Sequence, residues 1–181
     1  VTGVKSASAT DKKIQAFLSL DTLGGLTMNY AAALETPYGH REEPLSIEDL
    51  ERRRDSMRSA HVDARYVKIF TDGVPTAART AAMLTPYTLA SPDAVPTLGE
   101  LHVSEEVLTA DIVALDRAGF TVKIHTAGDR SVRVALNAIE AARLENGDSG
   151  LRHELAHAGY ISQEDLPRFG KLQAVADFSP Y

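Results

Sequence analysis

Apolar positions along this chain follow two alternating rhythms, one near 3.6 residues and one near 2, and the breaks between them fall at glycine, proline and capping residues. After Thr10 or Asp11, Ile14, Phe17 and Leu18 fall at helical spacing, which predicts a helix to Leu20 that ends at Gly24-Gly25. LTMNYAAAL (26–34) reads as a buried strand, although its alanines also suit a helix. Ser46 opens a charged helix, IEDLERRRDSMRSA, with Asp49 placed to complete a capping box. RYVKIFT (65–71) has the β-branched and aromatic residues of a strand and stops at Asp72-Gly73. The long connection that follows carries prolines 75, 86, 92 and 96, and a stretch of this length predicts a lid or binding loop.

Ser104 then caps EEVLTADIVALDRA, whose acidic first turn suits the helix dipole and whose exit is Gly119. FTVKIHT (120–126) is the next strand, and Asp129 is read as the cap of RSVRVALNAIEAARLE, closed by Asn146-Gly147. LRHELAH (151–157) is ambiguous. Ser162, with Asp165 three residues on, starts a short helix toward Arg168-Phe169, and QAVADFSPY (173–181) reads as a final strand. The alternation predicts one α/β domain over 1–181 with a parallel sheet and flanking helices. From His125 to His157 is 32 residues, close to one βαβ unit of about 30. A doubly wound sheet and part of a (β/α)8 barrel fit this rhythm equally well.

Composition narrows the chemistry. The net charge of −6 argues against a nucleic-acid surface, and the basic run Arg52-Arg53-Arg54 is interleaved with acids, which predicts a solvated helix face. With no cysteine, any metal must be held by nitrogen and oxygen. No apolar run reaches the roughly 18–20 residues of a membrane span, and the N-terminus lacks the pattern of a signal peptide, so a cytoplasmic location is expected. The first residue is not Met, which suggests a piece of a longer protein.

His153-Glu154-Leu155-Ala156-His157 spells H-E-x-x-H, the zinc-protease motif. That chemistry needs a helix with turns on both sides and a third ligand. Here Gly147 and Gly150 stand just upstream, Gly159 stands just downstream, and no histidine follows His157. The protease reading therefore ranks last. Position is the better clue: Lys68, His125 and His157 each lie at or near a strand end, and each precedes a glycine-containing break. In parallel α/β proteins the carboxyl ends of the strands form the functional rim. Taken singly, a lysine there is ordinarily a surface charge and a histidine a structural residue; the order and spacing of the three change that weighting.

VKIFTDGVPTAARTAAMLTPY, TVKIHTAGDRSVRVALNAIE and LRHELAHAGYISQEDLPRFGKLQAVADFSP together resemble consecutive blocks of the amidohydrolase-3 family, the YtcJ-like branch that includes N-substituted formamide deformylases. The resemblance covers roughly residues 10–181. It implies a (β/α)8 barrel with a mono- or dinuclear centre of zinc or a similar divalent ion, acting on a small amide-type substrate. By this likeness Lys68, which is carboxylated in many related enzymes, matches the strand-four ligand, and His125 and His157 match the histidine ligands of strands five and six. Asp129 and Arg130 match G-D-R, which supports the loop behind His125, while Asp72, Gly73 and Arg79 match a substrate-lining loop.

Two departures stand out. Ala156 occupies a position where the family usually has glutamate, which leaves Glu154 as a possible substitute, and the early H-x-H and late aspartate of the family are missing. The expectation is a partial barrel of about strands three to seven, inactive alone, that forms a homo-oligomer through exposed sheet edges. The alternative is a non-catalytic α/β domain used for binding or assembly.

Overall fold

The computed structural model describes residues 1–88, 91, 93 and 95–178, so Pro92 and the last three residues of the predicted final strand lie outside the described residues. Among the described residues six parallel strands alternate with five helices: β1 (Gly3–Ala9), α1 (Asp11–Thr22), β2 (Asn29–Glu35), α2 (Ile47–Ser56), β3 (Val62–Phe70), α3 (Glu105–Arg117), β4 (Thr121–Thr126), α4 (Asp129–Asn146), β5 (Glu154–His157), α5 (Leu166–Leu172) and β6 (Val175–Asp177). Their order across the sheet is their order in the chain. A doubly wound sheet would reverse that order at a switch point, so the winding is that of a barrel.

The sheet is curled. Lys5 on β1 pairs with Glu154 on β5, four strands away. In a flat sheet those strands would stand roughly 19 Å apart, beyond the reach of two side chains. Strand alternation sends Val67, Ile69, Val122, Ile124 and Leu155 into the hydrophobic core. The opposite face presents Lys5, Lys68, Lys123, Glu154 and Asp177 to a cavity of about 660 Å³. The fold is thus a curled half-barrel with flanking helices, and this cavity is its interior.

The predicted caps are largely in place. Thr10, Ser46 and Ser104 accept from the backbone N–H groups of Lys13, Asp49 and Val107. Asp129 differs: Gly128 is the N-cap of α4, and Asp129 begins the helix without capping it. The basic run is not simply solvated either. Arg53 bonds Asp11 and the Glu35 carbonyl, and Arg54 bonds the Ala118 carbonyl and lies 4.8 Å from the Phe120 ring centre. These two arginines tie α2 to its neighbours. The sheet also gains β1, which the sequence reading missed; Gly3, Val4, Lys5 and Ala7 are exposed and its two serines are half-buried. No helix among the described residues is long and apolar enough to cross a membrane.

Candidate metal centre

Register brings the three strand-end residues together. On β3 and β4, Lys68 pairs with Lys123 and Phe70 with His125; on β4 and β5, His125 pairs with Ala156 and Thr126 with His157. Lys68 and His125 therefore face the interior by ordinary alternation. His157 does not, because Glu154 and Ala156 already take the inward positions of β5. It reaches the cavity through its backbone: φ is +74° at His157 and +41° at Ala158, two consecutive left-handed residues without glycine. Each costs about 1–2 kcal/mol, and this strain turns the His157 ring inward. It stands edge-on to His125 with ring centres 4.6 Å apart.

That spacing suits a shared ion. Two imidazoles on one tetrahedral zinc, with Zn–N near 2.0–2.1 Å, hold their ring centres roughly 5 Å apart, slightly more than here. The tautomer of His125 also fits. Its Nε2 is 2.9 Å from the Gly73 carbonyl, which can only accept, so Nε2 carries the proton and Nδ1 keeps its lone pair. Burial lowers the His125 pKa to about 4, with a smaller push from Lys68, and burial with His125 lowers that of His157. Both rings are neutral near pH 7, as metal binding requires. Lys68 is buried, 4.9 Å from the Phe70 ring centre, and its pKa falls to about 8, first through burial and then through Lys123. Among the described residues no three His, Asp or Glu side chains gather to hold a metal.

The predicted supporting residues build the rim. Asp72 is fully buried: Oδ2 accepts from the Ala82 and Gly128 amides at 3.0 and 2.9 Å, and Oδ1 from Ala127 at 3.0 Å. Asp72 thus joins the loop after β3 to the loop after β4 and is not open to substrate. Gly73 is likewise buried; it supplies the carbonyl that orients His125, and Thr80 fills the space where a side chain would stand. Arg79 braces the same loop by donating to the Thr88 carbonyl. Asp129 accepts from the Leu84 amide at 2.7 Å, and the Arg130 amide donates to the Ala82 carbonyl at 3.1 Å. A Cβ on Gly128 would sit 2.0 Å from that same carbonyl, so only glycine permits the approach. In G-D-R, each residue grips the 81–84 turn.

HELAH is a strand. His153 is fully buried; its Nδ1 accepts from the Val122 amide and its Nε2 donates to Asp116, far from His157 in role. Glu154 does not stand in for the glutamate absent at 156, because it pairs with Lys5 and Lys123. Lys123 also pairs with Asp177. This ionic layer lies below the histidines and was not foreseen; an inward lysine two residues before His125 was its only signal.

A model of the Amidohydrolase family matches residues 1–181. The chain belongs to the amidohydrolase family. It is 30% identical over 128 residues to the putative amidohydrolase YtcJ of Bacillus subtilis, and 29% identical over 132 residues to Protein LONG AFTER FAR-RED 3 of Arabidopsis thaliana. These alignments cover 70% and 73% of the chain and 22% of each relative, so the amidohydrolase segment spans about a fifth of their length. The structure of an uncharacterized metal-dependent hydrolase from Pyrococcus furiosus superposes with a TM-score of 0.69 at 26% identity, covering 96% of this chain and 33% of that one. A Xaa-Pro dipeptidase at 12% identity and TM-score 0.57, covering 97% of this chain and 41% of that one, shares the fold.

Proposed function

We propose that this amidohydrolase segment supplies the strand-borne ligands of a metal centre that hydrolyses an amide or other non-peptide C–N bond in a small molecule. The observation that carries the reading is the pair of neutral imidazoles, His125 and His157, held at ligand spacing above Lys68. His125 Nδ1 and the His157 ring would hold a divalent ion, with zinc the best match to nitrogen donors. Lys68 would join them as a carbamate, formed when the neutral amine that burial favours adds dissolved CO2 and releases a proton. When bound, such an ion supplies a Lewis acid and a water of lowered pKa.

The chain's own part is to keep both rings neutral and fixed. Gly73 holds one tautomer of His125, strain aims His157, and the Asp72 clamp keeps the rim in place. Glu154 and Asp177 are engaged by lysines, so the carboxylate that shuttles the proton is expected from another part of the full-length protein. One observation favours a non-catalytic binding domain instead: the ligand set is incomplete among the described residues.

Assay separates the two. A full-length protein carrying this segment, loaded with Zn²⁺, is expected to hydrolyse N-acyl amines or cyclic amides faster than dipeptides, while residues 1–181 alone are inactive. Cleavage of dipeptides only, or no hydrolysis by the full-length protein, contradicts the proposal.

A further inference from the structure

A row of rings runs outward from His125, on the side away from β6, and nothing in the chemistry above uses it. Phe70 lies 6.0 Å from His125, Tyr38 5.0 Å from Phe70, His102 5.5 Å from Tyr38 and His40 5.4 Å from His102, centre to centre. The backbone beneath the outer rings is tied down. The His102 amide donates to the Thr71 carbonyl and the Arg41 amide to the His102 carbonyl, both at 2.8 Å, so 101–103 extends the sheet above the ends of β2 and β3.

Two features of this row lack a structural reason. His102 is only 7% exposed, yet its Nδ1 meets no partner among the described residues. A buried polar atom left this way costs about 1–3 kcal/mol. Tyr38 is the reverse case, a large ring 70% exposed at the rim while its edge packs on Phe70 and His102. His102 and His40 also line a separate cavity of about 340 Å³ with Arg41, Glu42 and Leu101, which Tyr38 and Phe70 do not line.

We infer that Tyr38, Phe70 and His102 form a subsite for an aromatic group on the substrate, beside the metal centre. The inference rests on the amidohydrolase reading of that centre. An incoming ring would cover the exposed Tyr38 and continue the edge-to-face row, an arrangement that favours aromatic over aliphatic partners. His102 would supply a polar contact at the far end through Nε2, its other ring nitrogen, which fixes the ring's orientation.

Calorimetric titration of the Zn²⁺-supplemented protein with benzamide and with isobutyramide tests this. Benzamide is expected to bind roughly tenfold more tightly, which corresponds to about 1.4 kcal/mol. Tyr38→Ala and His102→Leu should each abolish that preference while leaving isobutyramide affinity unchanged, and His102→Gln should retain it. Tyr38 is exposed enough that its variant will fold even if a His102 variant does not. Equal affinity for the two amides, or a preference that survives Tyr38→Ala, overturns the subsite. A protein that takes up no zinc but still prefers benzamide keeps the subsite and refutes the metal reading; zinc uptake without the preference does the opposite.

Discussion

At the scale of single residues, the site depends on His157 leaving the alternation of its strand. The left-handed backbone at His157 and Ala158 has no signature in a sequence without glycine there, so the inward aim of the ring was not legible, although its strand-end position was. A β-branched residue tolerates positive φ poorly. Ala158→Val is therefore expected to cost about 1–2 kcal/mol and to weaken zinc binding, whereas Ala158→Gly should leave both nearly unchanged; urea denaturation and zinc titration measure the two effects. The neutral state of His125 also has a pH consequence. Between its ordinary value of 6.5 and about 4, the unfolded chain binds a proton that the folded chain refuses. Stability of the metal-free protein should then fall as pH drops through that window, by about 3 kcal/mol from this group. His125→Gln should flatten the decline when denaturation midpoints at pH 7 and 4.5 are compared.

At the scale of elements, strands and caps were readable because local chemistry sets them: β-branched runs make β3 and β4, and hydroxyl caps start α1, α2 and α3. What failed was decided by tertiary contact. Asp129 has the character of a cap, but Leu84 arrives from 45 residues away and takes its carboxylate. β1 is exposed at a sheet edge and carries too little hydrophobic pattern to announce itself. The connection after β3, predicted as a lid or binding loop, is pinned at its 81–84 turn by Asp72, Gly128, Asp129 and Arg130, contacts that only the assembled rim reveals. Asp72→Ala would strand three buried amides and is expected to destabilise by more than about 3 kcal/mol. Gly128→Ala should cost about 1–3 kcal/mol, since its methyl meets backbone and not a movable side chain. Thermal denaturation of each variant checks these values.

At the scale of the whole molecule, a half-barrel has two strand edges and an open interior. β1 and β6 each leave one side unpaired among the described residues, and Phe178 beside β6 is 67% exposed. Such edges recruit other edges, so the 181-residue chain alone is expected to self-associate in light scattering, and a monomer at all concentrations would contradict this. The amidohydrolase resemblance was legible because its motifs fall where barrel geometry needs them, at the ends of successive strands. HELAH misleads because H-E-x-x-H describes a helix, and the same letters on a strand place His153 at the buried base beside Asp116 and His157 at the rim.

Zinc titration of the parent and three variants, each checked for folding, tests the central claim most directly. His125→Gln and His157→Gln are expected to weaken zinc at least roughly tenfold, about 1.4 kcal/mol each, while His153→Gln destabilises the fold without changing zinc affinity. Zinc binding that survives the loss of His125 and His157, or that depends on His153, would contradict the account.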